Sequence, residues 1–284
     1  MSNPRRNASL AETARETMRI VVAGEYVDAK GTRVTIAPLV EAAVAGTRTF
    51  APEELERLLE RGKTAKAAAA AQLEVTHETT QEAAHRLCVG DRVTDLAVLN
   101  FASATRTGGG FLTGATAQEE DLARCSALYS CLQTQTEFYA FHRMLGSALY
   151  SDRMIYSPRV PFFRIHSDEL LDHVYEASVI TAAAPNAGRA AEDRASQPDE
   201  IEAIFRRRTG KVLALAESMA HRSLVLGAWG CGVFGNDPVM AADSFGTWLE
   251  AERFRGSFDR VVFAVYDTRP GKPSHTPFAK RLVP

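Results

Sequence analysis

Cysteine is scarce in this chain of 284 residues, and no two cysteines form a CxxC pair. That argues against a disulfide framework and against a zinc ribbon. Cys88, Cys125, Cys131 and Cys231 read instead as small buried hydrophobes in a reducing compartment. His77 and His85 are too far apart for a helical i, i+4 ligand pair, and no H-E-x-x-H motif is present, so no metal site is expected. Neither sign of charge dominates. A net charge of −2 gives no long-range attraction for DNA, RNA or acidic lipid. Neither a membrane partner nor direct sequence-specific nucleic-acid binding is expected. The longest nearly uncharged run, SLVLGAWGCGVFG, is too short to span a bilayer. The opening MSNPRRNASLAETARE lacks the apolar stretch of a signal peptide, which points to a cytoplasmic protein. There is no internal repeat.

What is present is alternation. DLAVLNFA (95–102) is a continuous apolar run with branched residues, the pattern of a strand buried on both faces. VPFFRI, ASVITAAA, RSLVLGAW and RVVFAVYD are further strand candidates. Long helical patterns, DEIEAIFRRRTGKVLALAESMAH and DPVMAADSFGTWLEAERF, lie between them. Strands alternating with helices predict an α/β fold with a largely parallel sheet covered on both faces. Before this region the texture differs. Residues 8–20 read as a helix with Ser9 as N-cap and Glu12 closing a capping box. YVDAKGTRVTI reads as two short strands around a Lys-Gly turn, and APEELERLLERGK and AKAAAAAQLEV read as helical. We expect residues 1–75 to form a mainly helical N-terminal extension packed on a catalytic domain of residues 76–284. PNAGRAAEDRASQPDE (185–200) reads as loop.

Two glycine-rich stretches follow strands. In GGGFLTGATAQEEDL (108–122), three glycines precede a glutamine and two glutamates by seven residues. Thr116 and Glu119 fit a T-x-x-E capping box, so Glu119 has a purely structural reading. A long helix is expected from Ala117, with Leu122, Cys125, Tyr129 and Leu132 on one face. Glu120 has no capping duty. A carboxylate in that first turn suits stabilising a positive transition state or activating water. The glycines let backbone approach a ligand closely, and in open α/β sheets ligands bind at the carboxyl ends of strands.

GCGVFG (230–235) matches G-x-G-x-x-G and precedes a helix with Asp237 as cap and Pro238 at its first position. A nicotinamide-dinucleotide site would need an acidic residue at the end of a following strand, and Glu250 and Glu252 fall inside the helix. What remains is a glycine loop able to bind phosphate through backbone N–H groups, with Phe234 able to pack on a sugar. Two such loops on one sheet edge suit a ligand with a diphosphate at its middle.

VLNFAS, then GGG, then QEE, together with GAWGCGVFGNDP, resembles the poly(ADP-ribose) glycohydrolases of microbial type. Thr107 stands where the resemblance expects proline. The resemblance implies a three-layer α/β/α macrodomain with a mixed, largely parallel sheet. It implies hydrolysis of the terminal ribose–ribose O-glycosidic bond of poly(ADP-ribose), releasing ADP-ribose, without a cofactor. Glu120 would be the acid/base, Glu119 would orient the scissile ribose, and Gln118 would support the pocket. Gly108, Gly109 and Gly110 would line the ribose, and Asn100 would contact it. Gly230, Cys231, Gly232, Val233 and Gly235 would wrap the diphosphate, with Phe234 pinning the ribose. The partners would be poly(ADP-ribose) or ADP-ribosylated macromolecules. Two other readings share the pocket: an ADP-ribose reader that does not cleave, and a hydrolase of mono-ADP-ribose on protein or nucleic-acid ends. A reader has no need of two carboxylates beside the ribose.

Overall fold

The computed structural model describes residues 4–61, 69–166, 169–193 and 197–283. The chain opens with helix α1 (Pro4–Ala23), a hairpin of β1 (Glu25–Val27) and β2 (Arg33–Thr35), and helix α2 (Ala37–Gly46). Strand β3 (Arg48–Phe50), helix α3 (Pro52–Glu60), strand β4 (Gln72–Thr76) and helix α4 (Thr80–His85) follow. Strand β5 (Leu96–Phe101) leads to α5 (Gln118–Cys125), α6 (Leu128–Gln133) and α7 (Thr136–Leu145). Two long strands, β6 (Met154–Arg164) and β7 (Leu170–Ala182), come next, then α8 (Ala187–Glu192) and α9 (Pro198–Ser218). The chain ends with β8 (Ser223–Leu226), α10 (Pro238–Glu250), β9 (Arg260–Ala264) and α11 (His275–Leu282).

Seven strands make one sheet in the order β3-β6-β7-β5-β8-β9-β4. The run from β7 to β4 is parallel, and β6 and β3 join antiparallel at one edge. The period of two along a strand divides its side chains between faces. In β5, Leu96 and Val98 enter one core and Ala97 and Leu99 the other, which is why its sequence is apolar without interruption. The first core is closed by α1, α2 and α4–α7, the second by α3 and α9–α11. The expected three-layer arrangement is present.

Several expectations are corrected. Helix α1 starts at Pro4, so Ser9 lies inside it and caps nothing. Gln72–Thr76 of the alanine-rich stretch is a strand paired with β9; residues 65–68 of that stretch lie outside the described residues. The stretch 185–200 holds α8 and the start of α9, while 194–196 lie outside the described residues. The long helix after the QEE breaks at Ser126, which takes extended backbone and bridges Phe162 of β6. Residue 75 lies within β4, and residues up to 76 supply both edge strands of the sheet, β3 and β4.

Candidate active site

A cleft of about 940 Å³ opens over the carboxyl ends of the parallel strands, as the topology requires of an open α/β sheet. Its floor is the turn after β5 and the start of α5, and one wall is the loop after β8.

Gln118 ties the floor together. Its Oε1 accepts from Phe101 N at 2.8 Å, and its Nε2 donates to Leu99 O at 2.8 Å and Thr80 Oγ1 at 3.1 Å. One amide thus joins β5, α4 and α5. Glu119 is not a cap, because α5 begins at Gln118 with Ala117 as its N-cap and no side chain closes the end. Glu119 turns inward instead. Ser103 N donates to its Oε2 at 2.8 Å and Asn100 Nδ2 donates to its Oε1 at 3.2 Å. Burial pushes its carboxyl up to about 8; the Ser103 and Asn100 donors oppose this and the neighbouring Glu120 reinforces it.

Glu120 faces the glycine turn. Gly110 N donates to its Oε1 at 2.7 Å, and Oε2 has no protein partner. Gly109 runs directly over the pair with φ +59°, and a Cβ there would overlap Glu120 Oε1. Only glycine combines that backbone with that approach. The carboxylates and the glycines are therefore one construction: the bare backbone lets N–H and carboxylate meet and leaves the space above open.

Asn100 does not line the cleft, contrary to expectation. It is fully buried, and its amide donates to Glu119 and, at 3.1 Å, to Thr181 Oγ1 of β7. It holds the carboxyl and does not reach the open space.

The loop after β8 is pinned at its ends. Trp229 Nε1 donates to Ala182 O at 3.0 Å, and Asn236 Nδ2 donates to Pro185 O at 2.8 Å and Gly230 O at 3.0 Å. Asp237 accepts from Val239 N and Pro238 stands at N1, as expected. Between the pins, Gly232, Val233 and Phe234 line the cleft. Among the described residues, no backbone or side-chain acceptor takes their three consecutive N–H groups. Such a run makes a concavity for an anion. Val233 is largely exposed, and the Phe234 ring leans on Tyr150 with centroids 5.9 Å apart. Burial pushes the Cys231 thiol up to about 12, so it is no thiolate.

Sequence reasoning missed three contributors. Ser103 acts through its backbone, which no side-chain pattern reveals. Asn7 of α1 lines the cleft from a distant part of the chain. Asp267 ends the strand run RVVFAVYD, and the strand-end rule points to it. Arg269 pairs with its carboxylate through Nε at 2.8 Å and, with the Ser274 N–H, holds it below its ordinary range. Among the described residues, no three His, Cys, Asp or Glu side chains gather to hold a metal ion.

The model of the microbial-type PARG catalytic domain matches residues 14–165, just over half of the chain. This chain belongs to that family. Poly(ADP-ribose) glycohydrolase from Thermomonospora curvata is 48% identical, with a TM-score of 0.93 over 97% of this chain and all of its own. The same enzyme bound to the inhibitor ADP-HPD superposes with a TM-score of 0.90 at 47% identity, over 97% of this chain and 100% of its own. The Deinococcus radiodurans enzyme in complex with ADP-ribose is 44% identical, with a TM-score of 0.81 over 88% of this chain and 99% of its own. Comparison with curated proteins gave no match. Among the described residues, no helix is long and apolar enough to cross a membrane.

Proposed function

We propose that this chain, a poly(ADP-ribose) glycohydrolase by family, hydrolyses the terminal ribose–ribose bond of poly(ADP-ribose) and releases ADP-ribose, with Glu120 as acid and then base. One observation carries the assignment: Glu120 lines the cleft with one oxygen fixed by Gly110 N–H and the other buried without a protein partner. A fixed carboxyl with a spare oxygen can hand a proton over and take one back.

Breaking the glycosidic bond passes through an oxocarbenium-like state. The C1–O bond of the terminal ribose breaks as Glu120 gives its proton to the departing oxygen, which becomes the 2′-hydroxyl of the preceding unit. Water then adds to C1 and its proton returns to Glu120. One water is consumed and two hydroxyls result. Glu119, held by Ser103 N–H and the Asn100 amide, orients the scissile ribose. The free amides of Gly232 to Phe234 suit the diphosphate, whose own charge then stabilises the cation. We assign Gly108 to Gly110 to the ribose, and Gly230 to Gly235 to the diphosphate with Phe234 against its sugar. Asn100 is a positioning residue for Glu119. The cysteine usage supports a cytoplasmic setting.

The test is product analysis. Incubation with poly(ADP-ribose) should release ADP-ribose, identified by mass. Glu120→Gln should lower that rate by about 10² to 10⁴ while ADP-ribose still binds. A variant retaining a third of the parental rate would remove Glu120 from the acid/base role.

A further inference from the structure

The glycine turn has two sides. One faces the large cleft. On the other lies a second cavity of about 320 Å³, near the lower end of the range for small-ligand sites. Gly109 and Gly110 line both cavities, so the two meet beside Glu120. The chemistry of the second cavity differs from that of the first. Leu112 is 49% exposed there, and the half-buried Tyr129 ring lies next to Gly108 and stacks obliquely on Phe111 with centroids 4.9 Å apart. Arg106 is exposed at the rim common to both cavities, and among the described residues its guanidinium has no ion-pair or hydrogen-bond partner. Thr107, where the family resemblance expects proline, adds a hydroxyl.

We infer that this second cavity is a subsite for the leaving group, the adenosine portion of the preceding ADP-ribose unit; the inference rests on the hydrolase reading above. Cleavage at Glu120 creates a leaving group that must continue past the glycine turn, because the terminal unit fills the large cleft. That leaving group is a ribose bearing a flat purine and a diphosphate. The apolar side of the cavity, Leu112 and the Tyr129 ring, offers the purine a surface to cover. Arg106 offers the diphosphate a planar cation with free donors. Thr107 has the hydroxyl to bond a ribose oxygen where proline would have none. Arg106, Thr107 and Leu112 thus set the preference for a polymeric leaving group over a small one.

The experiment compares two substrates that share the terminal ADP-ribose: poly(ADP-ribose), and ADP-ribose carrying a nitrophenyl leaving group. The variants are Thr107→Val and Leu112→Asp. Both residues line the second cavity and not the first, Leu112 is exposed, and Thr107→Val keeps the side-chain shape, so folding is not at stake. Each variant should lose about tenfold in kcat/KM on the polymer, the scale of one hydrogen bond or one uncovered apolar contact. Cleavage of the nitrophenyl substrate and calorimetric affinity for ADP-ribose should stay at parental values. Equal losses on both substrates, no loss on either, or weakened ADP-ribose binding would overturn the subsite. Failure of the parental protein to cleave either substrate would instead overturn the hydrolase reading, and this inference with it.

Discussion

At the scale of single residues, the site is built on a conflict between burial and charge. Two adjacent carboxyls enter a buried turn, in different surroundings. Glu119 is enclosed and its carboxyl is pushed up to about 8, whereas Glu120 lines the cleft with one oxygen held by Gly110 N–H and the other buried without a protein partner. The consequence for stability has a definite sign. Between the ordinary value of 4.5 and about 8, the folded protein holds a proton on Glu119 that the unfolded chain releases. The folded state then binds more protons, so stability falls as pH rises through that window and is greatest at its acid end. The parental melting temperature should decline across it, and Glu119→Gln should flatten the decline, as followed by calorimetry at a series of pH values. Parallel curves for the two proteins would mean that Glu119 is ionised throughout. Gly109→Ala is a second test at this scale. The methyl would overlap Glu120 Oε1 on a backbone with φ +59°, so the turn must shift away from the carboxyl. Turnover of poly(ADP-ribose) should fall more than tenfold, with an effect on kcat that exceeds the effect on KM.

At the scale of elements, the two glycine loops answer to different demands, and substitutions separate them. Gly232 faces open space, so Gly232→Val should leave the melting temperature unchanged while covering the adjacent free amides. ADP-ribose affinity should weaken about tenfold or more by calorimetry, the scale of losing a charge-assisted hydrogen bond or two. Gly230 has φ +74°, and a Cβ there would lie 2.6 Å from Ala184 Cβ, so Gly230→Ala should lower the melting temperature instead. Helix α1 is held to the catalytic helix through Thr17, which donates to Arg124 O at 2.8 Å and accepts from Arg164 Nη1 at 2.7 Å. Thr17→Val keeps the shape and strands a buried guanidinium donor. It should cost about 1–3 kcal/mol in chemical denaturation, with the midpoint shifting and the slope unchanged. These elements were legible in the sequence to unequal degrees. β5 could be read because burial on both faces leaves an unbroken apolar run. The cap and proline of α10 could be read because they act within two residues. β4 could not, because QLEV follows a run of alanines and its strand character comes from partners 188 residues away. The break at Ser126 is equally nonlocal, since the bridge to Phe162 decides it. For Glu119, a local capping pattern was outcompeted by Ser103 and Asn100, two donors supplied by tertiary structure.

At the scale of the whole molecule, one sheet serves both as scaffold and as template for the site. The first 76 residues contribute both of its edge strands, and Asn7 of α1 lines the cleft itself. A Cβ at Gly114, in the turn leading to α5, would fall on the Asn7 carbonyl, so α1 and the catalytic turn are packed backbone to backbone. Charge within this assembly is arranged for an anionic ligand. In the proposed complex the free amides of the second loop would face the diphosphate, with the glutamates over the sugar beyond it. The positive charge that develops on the sugar can then be met by the substrate's own diphosphate and by Glu120, both held close by the fold. A metal ion would compete with the loop amides for the same phosphate oxygens. The parental protein should therefore cleave poly(ADP-ribose) at an unchanged rate in excess EDTA, and metal analysis should find no stoichiometric zinc. The informative contrast is with hydrolases of ADP-ribosyl groups that depend on magnesium. Loss of activity on chelation, restored by one particular divalent ion, would show that the cation is met by a metal-organised water and not by the two glutamates and the diphosphate.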